Sequence, residues 1–192
     1  MSIVLRPLRA EDADQVRGWR NAPHVAAYMY TDHEVGAAEH ARWLATVLAA
    51  PDCRYWIIVA DDRPAGLASL TRIDRVNRRC EWGYYLGEPD LRGSGAGMAA
   101  LYLLAQYTFE TLGLNRLSGA ALAENQAACG LYESMGFTCE GRLREYIWKN
   151  GRFQDVITFA LLASAWPVAR AGIEKRLRAR GRDTHTLSVQ EG

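Results

Sequence analysis

The chain has almost no charge to spare: 23 basic and 22 acidic residues leave a net +1 over 192 residues. A surface built to track phosphate backbones carries a basic excess, so no nucleic-acid partner is expected. Cysteine is scarce. Cys53, Cys80, Cys129 and Cys139 show neither Cys-x-x-Cys nor Cys/His spacing, so no metal site is expected and the thiols are read as small, buried or half-buried side chains. No apolar run approaches the ~20 residues that span a bilayer. The opening Met-Ser-Ile-Val-Leu-Arg-Pro lacks the features of a signal peptide. No membrane partner and a cytoplasmic location are therefore expected. There is no internal repeat, and an apolar fraction of 49% is that of one ordinary globular domain.

Periodicity and turn chemistry divide the chain. Residues 2–8 read as a strand, and residues 10–20 and 36–49 as helices with apolar residues at helical spacing. Residues 55–60, 65–73 and 80–86 read as an antiparallel meander, with a turn at Asp61-Asp62-Arg63-Pro64. A long helix is predicted over 95–112, a strand over 114–123 and a shorter helix over 125–135. Asn150-Gly151, between residues 142–149 and 152–162, is a hairpin signal. Residues 168–180 allow a basic helix, and the last dozen residues read as a loose tail.

The most informative segment is Leu91-Arg92-Gly93-Ser94-Gly95-Ala96-Gly97-Met98, between a strand and the long helix. Alternating glycines let a backbone approach a ligand closely. The turn's N–H groups and the helix N-terminus form an anion cradle, and Arg92 adds a full charge. A pyrophosphate fits there. A Walker loop is excluded by Met98-Ala99-Ala100, and a dinucleotide fingerprint by Met98 where glycine is needed.

Arg92-x-x-Gly95-x-Gly97 resembles the pyrophosphate motif Q/R-x-x-G-x-G/A of the GNAT superfamily of N-acetyltransferases. Residues 124–137, Glu-Asn-Gln-Ala-Ala-Cys-Gly-Leu-Tyr-Glu-Ser-Met-Gly-Phe, resemble that family's N-x-x-A-x-x-x-Y-x-x-x-G-F segment. The resemblance implies an α/β (α+β) fold: a mixed, mostly antiparallel sheet of about seven strands flanked by about four helices, with a V-shaped split between the fourth and fifth strands. It implies a GNAT domain over residues 1–165, followed by a basic helix and tail over 166–192. It also implies acetyl-CoA as co-substrate, held by Leu86, Arg92, Gly93, Ser94, Gly95, Ala96, Gly97, Met98, Asn125 and Tyr132. Asn125 has a second role open to it as a helix N-cap.

Acetyl transfer to an amine requires a neutral nucleophile, a donor for the developing oxyanion and a proton for the departing thiolate, whose free-thiol pKa is about 8.5. The resemblance makes Tyr132 the general acid; a core tyrosine is the structural alternative. It places the oxyanion donor on a backbone N–H near Tyr84 or Tyr85, in a strand that typically carries a bulge. Glu81, alternating onto the face of Gly83 and Tyr85, is either a base or a solvated strand glutamate. No cysteine has an activating partner, so direct attack is expected.

The acceptor half is similar to that of bacterial N-acetyltransferases acting on UDP-4-amino-4,6-dideoxy-N-acetyl-altrosamine in the pseudaminic acid pathway of flagellin modification. The similarity lies in Trp19-Arg20-Asn21-x-Pro23, Tyr28-Met29-Tyr30-Thr31, Glu39-His40-x-x-Trp43, Ser69-Leu70-Thr71-Arg72-Ile73 and Gly83-Tyr84-Tyr85. It implies that Arg20, Tyr30, His40, Thr71, Arg72 and Tyr85 line a nucleotide-sugar pocket, with Arg20 and Arg72 on the UDP pyrophosphate. The alternatives are a ribosomal-protein or other protein N-terminal acetyltransferase, and a non-catalytic acetyl-CoA-binding module. A homodimer is compatible with the sequence.

Overall fold

Alternation decides the first strand. Ile3 and Leu5 are fully buried and Val4 is not, so β1 (Ile3–Pro7) turns one face to the core. A single 3-10 turn leads into α1 (Ala13–Asn21). The Asp12 carboxylate holds that entry, accepting from the Arg9 N–H at 2.8 Å and the Arg6 guanidinium at 2.7 Å. Pro23 opens the short α2 (Pro23–Ala26), at a first-turn position where its missing N–H leaves nothing unpaired. α3 (Ala37–Ala49) follows. The computed structural model describes residues 2–190. Met1, Glu191 and Gly192, the outer ends of the two expected segments, lie outside the described residues.

β2 (Arg54–Ala60), β3 (Arg63–Asp74) and β4 (Arg79–Leu86) form the antiparallel meander. Asp61 and Asp62 turn its first corner at positive φ, in the sense that matches strand twist. α4 (Ala96–Gln106) is buried on nearly every side, with nine of its eleven residues inside, so it shows no polar stripe. It continues as a wider π-helical turn over Tyr107–Thr111. β5 (Arg116–Leu122) and α5 (Gln126–Ser134) lead to β6 (Thr138–Lys149) and β7 (Arg152–Leu162). Asn150 and Gly151 join these last two at φ 52 and 73, as the dipeptide predicts. α6 (Trp166–Ala179) and β8 (Leu187–Val189) complete the chain.

The eight strands lie in the order β6-β7-β5-β4-β3-β2-β1-β8. β4/β5 and β1/β8 are parallel and the other neighbours antiparallel. This is the mixed α/β sheet expected, with one strand more than the seven anticipated. That strand overturns the loose tail. Ile3 pairs with Leu187, Leu187 is buried, and the Gln190 N–H donates to the Leu5 carbonyl at 2.9 Å. Three residues are too few to show a period, so the strand forms on a template that β1 provides.

β4 departs from expectation in one respect. Its register with β3 is continuous from Gly66–Leu86 to Thr71–Glu81, without the bulge expected there, and the irregularity lies beyond Thr71. On its other side, β4 pairs with β5 from Arg79–Arg116 to Glu81–Ser118 and no further. The two strands part there, opening the predicted split.

The sheet buries a different cluster on each face. α1 and α3 cover the smaller, with Val16, Trp19, Leu44, Ile57 and Leu67. α4, α5 and α6 cover the larger, to which α6 contributes Trp166, Ile173 and Leu177. Polar contacts dock α6 as well: the Tyr102 hydroxyl donates to Glu174 at 2.9 Å, and the Trp166 indole to Glu110 at 2.8 Å.

Candidate active site

A cavity of about 980 Å³ passes through the sheet at the split. Leu67, Ser69 and Tyr85 line it from the α1/α3 face, and Tyr84, Gly97, Met98 and Tyr132 from the α4/α5 face. Two reactants can therefore approach from opposite sides and meet where β4 lacks a neighbour.

On the α4 side the glycine loop does what its composition predicts. Gly95 caps α4 at φ 88 and Gly93 stands at φ 73, both in the left-handed region. Leu86, Arg92, Gly93, Gly95, Gly97 and Met98 line the cavity. Ser94 and Ala96 shape the turn instead: the Ser94 hydroxyl donates to the Leu91 carbonyl at 2.6 Å and accepts from the Ala96 N–H at 3.3 Å. The Arg92 guanidinium donates to the His24 carbonyl at 3.1 Å, which ties the loop to α2. A helix N-terminus, a left-handed glycine and a cation at the cavity wall fit a diphosphate. Asn125 lines the cavity and caps α5, its side chain accepting from the Ala128 N–H at 3.2 Å.

Tyr132 lies among aromatic rings. Trp82 packs edge-on at 5.3 Å between centroids and Phe159 at 5.4 Å, while the residue also lines the cavity. Burial pushes the Tyr132 phenol up to about 12, against the opposing pull of hydrogen bonds from Trp82 and Tyr84. Tyr84 is itself pushed far up by burial and then by Tyr132. Neither partner was legible in sequence, although β4 alternation puts Trp82 and Tyr84 on the face opposite Tyr85.

Glu81, Thr71 and Arg72 do not line the cavity. Glu81 pairs with Thr71 in register, and the Arg72 guanidinium donates to its carboxylate at 3.1 Å. Arg72 is largely exposed at φ 50, where the β3 register breaks, so alternation no longer predicts its direction. Glu81 is within electrostatic reach of Tyr30, whose phenol is raised by burial, then by Tyr146 and Glu81.

Arg20, Tyr30, His40 and Tyr85 do line the cavity, on the side of α1 and α3. Burial lowers the Arg20 pKa, with Tyr85 and Glu39 opposing, and Arg20 donates to the Thr31 hydroxyl. His40 is 4% exposed, packs tilted against Trp43 at 5.0 Å between centroids, and among the described residues its Nε2 has no hydrogen-bond partner. Ser69 and Tyr55 also line this half and were not singled out from sequence. Ser69 stood in the quoted Ser69–Ile73 segment, and the structure sets it opposite Gly83 in the ladder. Two clamps hold the loop between α1 and α3. Asn21 exchanges hydrogen bonds with the Val35 backbone at 2.9 and 3.0 Å, and Lys149 donates to three carbonyls of residues 26–29.

Comparison with known proteins agrees with this geometry. YdaF of Bacillus subtilis, named provisionally as a ribosomal N-acetyltransferase, is 34% identical over 109 residues, 57% of this chain and 59% of that one; the chain thus spans less than two thirds of that relative. The acetyltransferase PseH of Campylobacter jejuni is 27% identical over 131 residues, 68% of this chain and 80% of its own. The spermidine N-acetyltransferase of Vibrio cholerae, solved with CoA and spermine, superposes with a TM-score of 0.80 at 25% identity, covering 86% of this chain and 98% of that one. Residues 2–138 match the acetyltransferase (GNAT) domain, so the chain belongs to the GNAT family and is an acetyl-CoA-dependent N-acetyltransferase.

Proposed function

We propose that the acceptor is the primary amine of a UDP-linked 4-amino-4,6-dideoxy sugar, of the kind used in pseudaminic acid synthesis. The charge of the acceptor half carries this reading. Arg20 and His40, whose Nε2 has no hydrogen-bond partner among the described residues, face a cavity walled by Tyr28, Tyr30 and Tyr85. A half-buried guanidinium suits a phosphate, and the phenol rings suit uracil or a sugar face. With Arg72 outside the cavity, Arg20 takes the diphosphate role without it.

A polyamine, the acceptor of the Vibrio cholerae enzyme, needs carboxylates. Glu39 is the carboxylate among the described cavity residues, and His33 already contacts it at 3.0 Å. A protein N-terminal amine is the second reading, favoured by the 34% identity to YdaF.

Acetyl-CoA supplies an activated thioester carbonyl. Backbone N–H groups of the β4 segment that has parted from β5 donate to the developing oxyanion. As the C–S bond breaks, Tyr132 gives its proton to the departing sulfur, and the proton that the acylated nitrogen loses returns the phenolate to phenol; Trp82 and Tyr84 act to lower the phenol's pKa. Burial raises Cys53, Cys80 and Cys129, Cys80 to about 11, so thiolate nucleophiles are disfavoured and the amine attacks directly.

The test is a thermal-shift and steady-state panel of UDP, a UDP-4-amino-4,6-dideoxy sugar, spermidine and ribosomal-protein N-terminal peptides. Stabilisation by UDP and turnover of the amino sugar are expected. Turnover of spermidine or peptide alone overturns the acceptor assignment.

A further inference from the structure

We infer that Arg180, from the C-terminal segment beyond the family match, is a second coenzyme-binding cation that grips the diphosphate opposite Arg92. The inference rests on the glycine loop being the diphosphate site.

Four observations place Arg180 there. First, α6 ends at Ala179, and the chain reverses through Gly181 at φ 69. The Arg180 N–H donates to the Leu177 carbonyl at 3.0 Å and the Gly181 N–H to Arg178 at 2.9 Å. This is a left-handed helix stop that aims the next residues back at the loop. Second, Arg182 is buried, and its Nε donates to the Ser94 carbonyl at 3.0 Å. The segment is therefore fastened to the loop itself, and β8 pins its far end to β1. Third, Arg180 lines the same cavity as Arg92, Gly93 and Gly95, and its Cδ lies 3.2 Å from where a Gly95 side chain would begin. Fourth, among the described residues no carboxylate forms an ion pair with Arg180, whereas Arg170 and Arg178 on the same helix each contact Glu174.

Arg92, Arg180 and Arg182 thus converge on one loop, beside backbone amides and a helix N-terminus. Arg92 and Arg180 on one rim raise the local positive potential that an anion meets. The family match covers residues 2–138, so Arg180 lies outside the matched segment that holds the loop. This placement also gives the extra strand a purpose: β8 anchors the segment that presents Arg180.

The test is calorimetric titration of wild type, Arg180→Ala, Arg180→Lys and Arg92→Ala with coenzyme A, dephospho-coenzyme A and pantetheine. Arg180→Ala is expected to weaken coenzyme A and dephospho-coenzyme A about tenfold, on the scale of one exposed charge-assisted contact. Pantetheine, which has no phosphate, should bind wild type and variant alike, and Arg180→Lys should recover part of the loss. Unchanged coenzyme A affinity, a loss that persists with pantetheine, or one that vanishes with dephospho-coenzyme A overturns the assignment. Loss of affinity in Arg92→Ala with none in Arg180→Ala defeats this inference and leaves the loop in place. If neither variant binds more weakly, the loop itself is misassigned.

Discussion

The Nζ of Lys149 lies 2.6 Å from the carbonyl oxygen of Met29, 120 residues earlier in the chain. The same ammonium donates to Ala26 at 2.6 Å and Ala27 at 2.9 Å, so a buried lysine of the β6–β7 hairpin closes the end of α2. Burial lowers its pKa, Arg20 adds to that, and Asp32 opposes. Lys149→Met should destabilise the fold by about 3 kcal/mol, because three carbonyls lose their donor. In the folded fraction, KM for the acceptor should rise while KM for acetyl-CoA does not. Urea denaturation and two-substrate kinetics measure both.

Tyr132→Phe should lower kcat about a hundredfold and leave coenzyme A affinity within about twofold. Tyr84→Phe removes a hydroxyl that lowers the Tyr132 pKa and, if Tyr132 is the acid, should lower kcat about fivefold. With the phenol held at about 12, Tyr132 stays protonated through the working range. The pH profile of kcat/KM should therefore rise as the acceptor amine deprotonates and then level. A fall between pH 8 and 10 would assign the acid to another group.

His40 titrates below the usual histidine range, because burial disfavours its charged form and Arg17 adds to that, with Asp14 opposing. The unfolded chain therefore binds the proton more readily than the folded one. His40 contributes stability that is full above the unfolded value of about 6.5 and is lost as pH falls toward the lower folded value. His40→Asn should flatten the melting temperature between pH 7 and pH 5 relative to wild type. Identical slopes would show that His40 is not the group responsible.

Gly119 faces Trp82 across the split. A side chain there would begin 2.5 Å from the indole Cε2, and the ring it displaces packs edge-on against Tyr132. Gly119→Ala should destabilise by about 2 kcal/mol and also lower kcat. Denaturation and steady-state rates separate the two effects.

Much of the site was legible because its signals are local. The left-handed glycines of the loop, the Asn150-Gly151 turn and the N-cap at Asn125 each follow from a few adjacent residues. Thr71 and Arg72 were placed by motif similarity, yet the β3 register breaks just beyond Thr71 and Arg72 pairs with Glu81 away from the cavity. Trp82 and Tyr84 were invisible as partners of Tyr132, since a strand's alternation says which face a residue takes but not what packs on it.

Periodicity and turn chemistry by themselves determined the antiparallel meander, the last hairpin and the glycine turn after β4, because hydrogen bonding and backbone preference act over a few residues; the mixed sheet and its split were implied by the resemblance to the GNAT superfamily. Tertiary structure alone decided that Lys149 would hold the end of α2, that three tail residues would add a strand to β1, and that Arg180 would reach Gly95. Those contacts join segments dozens of residues apart. They form only after the core has packed, so no nearby residue announces them.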